Sequence, residues 1–178
     1  MRTTPSRNTI IFSALAILLL FPSSSTLAVE HRALSDEEIG AVSQNCSSIL
    51  TRLRRVQKDD ARNRIYLGAQ YEAISSKLML NLNLRLIKNG FADADLAEQQ
   101  TTFTSERERF KNDYIGYSQE FEELLKLDCK KEPAKFYRQL ENVRAKRSDI
   151  DASMNRMRET LSSHHQSVEE FKGKIDEK

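Results

Sequence analysis

The chain has 178 residues, of which 30% are charged and only five are Gly and three Pro. That length supports one domain with a real hydrophobic core, and that composition points to helix rather than sheet or disorder. Two of the 28 basic residues, Arg2 and Arg7, precede the first acidic residue, Glu30; without that N-terminal segment 26 basic residues face 26 acidic ones, which excludes strong general attraction to nucleic acid or anionic membranes.

The N-terminus reads as a targeting signal. Arg2 and Arg7 give a basic start, and Ile10 to Phe21 is an apolar run broken only by Ser13. Pro22 and the serines at 23–25 end it, and Thr26-Leu27-Ala28 puts small residues at the −3 and −1 positions. This is the pattern of a secretory signal peptide, residues 1–28, cut after Ala28. The run is shorter than the roughly 20 residues a spanning helix needs. No Cys follows it for lipid attachment. The remainder is therefore expected to be exported and soluble, without stable membrane insertion; an uncleaved anchor is the weaker reading.

After a short lead at 29–34, a first helix is expected over 35–89. Ser35 with Glu38 forms a capping box, and Asp36 and Glu37 favour the positive helix N-terminus. Apolar positions run Ile39, Val42, Cys46, Ile49, Leu53, Val56, fail between Gln57 and Arg64, and resume with Ile65, Tyr66, Ala69, Ala73, Leu80, Leu84 and Ile87. The Leu-rich segment gives two stripes, Leu78-Leu82-Leu86 and Leu80-Leu84-Ile87, as in a helix touching two neighbours. Asn89-Gly90 makes the turn.

A second helix is expected over 93–128, starting at Asp93 or Asp95, with the seam Leu96, Phe103, Arg107, Phe110, Tyr114, Tyr117, Phe121, Leu124. Pro133 then opens a third helix over 133–174. Its seam is Phe136, Leu140, Val143, Arg147, Ile150, Met154, Met157, Leu161, His164, Val168, Phe171, Ile175, a four-three step interrupted only by Arg147 and His164. Such a step is a coiled-coil seam. Residues 175–178 form a charged tail.

Both links are short, so consecutive helices should run antiparallel. Cys46 lies 44 residues before Gly90 and Cys129 lies 39 after it. At about 1.5 Å per residue both stand roughly 60 Å from the same turn. A disulfide between them is the natural expectation for an exported chain with two cysteines. The same register sets Asp60 level with Arg147 and with Tyr114 or Tyr117. A semi-buried Asp60–Arg147 contact with a tyrosine hydroxyl beside it would fix register; no pocket is expected around it, so an active-site reading is disfavoured.

The basic cluster Arg52, Arg54, Arg55, Lys58, Arg62 and Arg64 has two readings. One is contact with a polyanion. The preferred one is interhelical salt bridges, with Arg52 to Arg55 opposite Glu120, Glu122 and Glu123. His164 and His165 are neighbours on a helix and face different ways, so a joint metal site is not expected. No nucleophile elbow, phosphate loop or zinc-protease motif occurs, and neither metal nor cofactor is expected.

The segments Gln44-Asn45-Cys46-Ser47-Ser48-Ile49, Arg62 to Gly68 (RNRIYLG) and Leu82 to Lys88 (LNLRLIK) resemble small exported coiled-coil proteins of ultrasmall, Saccharibacteria-like bacteria. The resemblance implies compartment and shape only. The whole chain is thus expected to be all-α: an elongated antiparallel three-helix bundle or coiled-coil rod with one disulfide. Its expected role is a secreted or envelope-associated binding or structural protein without catalysis, with a protein partner or self-association. The alternative is an extracytoplasmic chaperone-like or wall-hydrolase-activating protein.

Overall fold

The structure, a computed structural model, describes residues 34–176. The expected signal peptide at 1–28 lies outside them. Among the described residues all regular structure is helical and there is no strand. The elements are α1 (Asp36–Gln44), α2 (Cys46–Glu72), a π-helical segment (Ala73–Met79), α3 (Leu80–Lys88), α4 (Ala94–Lys126) and α5 (Pro133–Asp176). Cys46 and Cys129 are joined by a disulfide.

Local chemistry explains most of the ends. The Ser35 hydroxyl accepts from the Glu38 amide, and the Glu38 carboxylate accepts from the Ser35 amide, so the capping box forms. At Asn45 the backbone bonds continue, but the Asn45 side chain donates to the Ala41 carbonyl at 2.8 Å and competes for it, which separates α1 from α2. Gly90, at φ 78°, is the left-handed residue that ends α3, and the Phe91 amide reaches back to the Leu86 carbonyl. Asp93, not Asp95, caps α4 through the Leu96 amide. The Asp128 carboxylate accepts from the amides of Lys130 and Lys131, which tightens the link into Pro133 and holds its carboxyl below the usual carboxylate range.

The core lies along α4. Leu96, Phe103, Phe110, Tyr114, Tyr117, Phe121 and Leu124 are all buried, against Phe136, Val143, Ile150 and Met157 of α5. The α4 seam is interrupted at Gln99-Gln100 and at Arg107, which pairs with Glu72 at the end of α2. From Cys46 the inward positions of α2 run Ile49, Leu53, Val56, Asp60, Leu67, Tyr71 and continue to Ile74 in the π segment. Asp60 is therefore a member of the seam, and the four-three step does not fail there. Correspondingly, Ile65 and Tyr66, expected on the seam, are 70% and 64% exposed.

The phase then changes. Another step of four from Ile74 would turn Leu78 inward, but Leu78 is 63% exposed and Met79 is buried instead. The π segment causes this. Its wider turn holds more residues than an α-turn, so the face pointing at α4 moves one residue along the chain. Ser75, Met79 and Asn83 become the buried positions, and Asn83 donates to the Leu96 carbonyl at 3.1 Å. The stripe Leu80-Leu84-Ile87, expected to touch a neighbour, faces solvent; Leu84 is 54% and Ile87 60% exposed.

Both the first helical stretch and α5 pack on α4, and α1 also touches α5. No Cα of α2, of the π segment or of α3 comes within 8 Å of a Cα of α5, however. Closely packed helix axes lie about 8–10 Å apart. The α2–α5 side is thus more open than the other two, and only long side chains bridge it.

The disulfide closes a segment with a sequence separation of 83. Replacing both cysteines with alanine should lower the stability measured by urea unfolding by about 4–5 kcal/mol, the chain-entropy value for so long a loop. A loss under about 1 kcal/mol would mean that the link does not constrain the unfolded chain.

Candidate functional site

Midway along α2 the seam reaches Asp60. A carboxylate facing inward loses hydration and needs donors. It has two. The Tyr117 hydroxyl donates to Asp60 Oδ2 at 2.5 Å, and Arg147 Nη2 donates to Oδ1 at 3.1 Å. The Asp60 side chain is 15% exposed while that of Arg147 is 52% exposed, so Arg147 closes the layer from the solvent side. Burial drives the Tyr117 hydroxyl far above the ordinary tyrosine range, reinforced by its bond to Asp60 and by that carboxylate's charge. It stays protonated and remains a donor.

Tyr114 sits in the same layer with a different role. Its ring lies 5.7 Å from that of Tyr117, and the Arg64 guanidinium stands 4.9 Å from its centroid. This is a cation–π contact. Burial raises the Tyr114 hydroxyl, opposed by the Arg64 charge. Of the expected register layer, the structure brings Asp60, Arg147 and Tyr117 into direct contact and sets Tyr114 beside them without a hydrogen bond to Asp60.

No pocket was expected here, but one exists. A cavity of about 120 Å³ is lined by Asp60, Arg64 and Leu67 of α2, by Phe110, Tyr114 and Tyr117 of α4, and by Arg147, Ile150 and Met154 of α5. The open α2–α5 side produces it. Helix spacing, rather than a separate pocket-forming element, creates the space.

The basic cluster divides. Arg64 is held on Tyr114, and Arg62 pairs with Asp59 at 3.9 Å on the surface. Arg52, Arg54, Arg55 and Lys58 make no ion pair among the described residues. The expected salt bridges to Glu120, Glu122 and Glu123 are absent. The Glu120 carboxylate accepts from Gln139, and Glu123 pairs with Lys126 in its own helix. The α2–α4 register is near the expected one, but Arg52, Arg54 and Arg55 are exposed positions that point away from α4.

A second polar chain joins α4 to α5. Ser153 is fully buried and donates to Asp113 at 2.5 Å; Arg156 donates to Ser153 at 2.9 Å and to Glu106 at 2.7 Å. Glu106 is not among the residues expected from the sequence to form a site. The α4–α5 register pairs it with Arg156, and a charge pair at matching positions was the available signal. His164 is also buried, and its Nε2 has no hydrogen-bond partner. Burial lowers its pKa. His165 is exposed. No cluster of three or more His, Cys, Asp or Glu side chains able to hold a metal ion occurs among the described residues.

No protein-family model, curated protein or solved structure matches the chain. What the layer can do is therefore read from its geometry. Both Asp60 oxygens are engaged by protein donors, Arg64 is engaged by a ring, and the group as a whole ties all three long helices together at one level.

Tyr117→Phe leaves Asp60 Oδ2 without its donor and should cost about 1.5–3 kcal/mol in urea unfolding, the range for a hydrogen bond to a charged group. A double-mutant cycle on Asp60 and Arg147 should show a coupling of about 1 kcal/mol or less, because Arg147 is half in water. His164 gives a pH signature. Its folded pKa is depressed, so its neutral form contributes stability that is present above the unfolded value of about 6.5 and lost as pH falls below it toward the folded value. Wild type should therefore lose stability relative to His164→Leu as pH falls below about 6.5; a gap that does not change with pH would mean that His164 is not held neutral.

Proposed function

We propose that the chain is a non-catalytic binding or structural protein of an extracytoplasmic compartment, built as an elongated antiparallel three-helix coiled coil. The observation that carries this is the inverted face of α3, which buries Asn83 and leaves Leu84 and Ile87 in water. Large apolar side chains aligned in solvent are the usual mark of a docking surface.

The compartment rests on three supports. The Cys46–Cys129 disulfide belongs to an oxidising environment. The residues from Arg2 to Ala28 have the order of a secretory signal. No helix among the described residues is long and apolar enough to cross a membrane. The Asp60–Tyr117–Arg147 layer serves as a register device in this reading, and the cavity beside it is a by-product of helix spacing.

Crosslinking in the native cells followed by mass spectrometry tests the proposal. Oxidised protein should be found outside the cytoplasm, joined through Lys77 or Lys88 to another macromolecule. A reduced cytoplasmic chain with no crosslinked partner would contradict it.

A further inference from the structure

The exposed face of α3 has a definite form. Leu80, Leu84 and Ile87 recur at steps of four and three and are 38%, 54% and 60% exposed. At about 100° per residue they fall within roughly 60° of arc, a single narrow line. Phe91, 41% exposed, stands just past the helix end with its ring against that of Phe171. The charged residues within this segment are all basic. Lys77, Arg85 and Lys88 occur between Glu72 and Asp93 with no acidic residue in the interval. None of the three forms an ion pair among the described residues, although most other surface bases on α4 and α5 do.

Three occupants can be weighed on these facts. A bilayer surface takes a helix with a broad apolar face, whereas a narrow four-three line is a coiled-coil seam. A second copy would set Lys77 and Lys88 against the same bases. Nor do the described residues offer a matching row, since Ile65 with Tyr66, Ile115 and Ile175, the other large apolar groups exposed outside Leu78 to Phe91, are isolated positions and form no four-three line. A helix with its own apolar seam and acidic flanks satisfies both the line and the unpaired bases, as flanking charges do in coiled coils.

We propose that the Leu80-Leu84-Ile87 line docks an amphipathic helix of a partner protein whose apolar seam is flanked by Glu or Asp. This rests on the binding-protein reading above and names the chemistry of the partner. The π segment sets which side of α3 meets α4, and the Leu80-Leu84-Ile87 line lies off that side. Without its phase shift Leu78 would turn toward α4, and the buried positions that follow would move off Met79 and Asn83.

Fluorescence anisotropy with two synthetic peptides tests this. Both carry leucine at the seam positions of three heptads; one has Glu at the flanking positions and the other has Lys. The oxidised protein should bind the Glu-flanked peptide at least tenfold more tightly than the Lys-flanked one, and added salt should narrow the gap. The double variant L84E/I87E, altered only at exposed positions, should lose at least tenfold in affinity while keeping its helix content and melting temperature. The variant K77E/K88E should reverse the preference between the peptides. Equal binding of the two peptides, or none of either, overturns the proposal. So does binding to anionic vesicles in place of the peptide, or a dimer abolished by L84E/I87E, each of which assigns the face to a different occupant. A native crosslinked complex that survives L84E/I87E would remove this surface and leave the binding-protein reading standing.

Discussion

The covalent link between Cys46 and Cys129 sets which residues of the first helical stretch can face α4. Long helices with a repeating apolar seam can slip by a heptad at modest cost, because one apolar layer resembles the next. The disulfide removes that freedom at one end. With Cys46 opposite Cys129, Asp60 arrives at Tyr117, and Ser75 arrives at Thr104, whose hydroxyl lies 2.9 Å from its own. The polar layer repeats the instruction by other means. A carboxylate that needs both a buried hydroxyl and a guanidinium has few acceptable registers, so Asp60 discriminates among them even where its net contribution to stability is small.

Beyond that layer the constraint changes character. The π segment shifts the inward face by one residue, and the consequence is a local conflict between sequence and fold. Asn83 goes inside with Oδ1 unpaired, while Leu84 and Ile87 remain in water. A chain otherwise consistent in its pattern departs from it here, and such departures concentrate where function is placed. The departure and the run of unneutralised bases coincide on one helix. In the proposed account the phase shift brings Asn83 inside beside a line of leucines and isoleucine that stays in water and docks a partner.

The sequence carried the coarse architecture well. The seams of α4 and α5, the capping box at Ser35, Pro133 at the start of α5 and the pairing of Cys46 with Cys129 were all legible, because each rests on periodicity or on a spacing that survives small errors. The Asp60–Arg147–Tyr117 contact followed from register alone. The differences in α2 begin at one residue. The polar residue at position 60 reads as a break in the seam, which restarts the pattern at Ile65 and Tyr66, whereas the structure carries it through Leu67, Tyr71 and Ile74. The π segment was then invisible, since Ala73 to Met79 contains no Pro or Gly to mark it, and hydrophobic residues sit on both sides of the shift. The outward position of Arg52, Arg54 and Arg55 follows from the Ile49-Leu53-Val56 seam, whereas the cavity beside Tyr114 depends on how far α2 stands from α5, which no residue pattern encodes directly.

The central claim is that the π segment turns Met79 rather than Leu78 inward and that α3 keeps Leu84 and Ile87 in water. Hydroxyl-radical footprinting of the oxidised protein reads this without any substitution. The account predicts that Met79, despite the high intrinsic reactivity of its thioether, is modified slowly, while Leu78, Leu84 and Ile87 are modified rapidly. Fast oxidation of Met79 together with protection of Leu78 would show that the helix continues in phase from Ile74, and would contradict this arrangement.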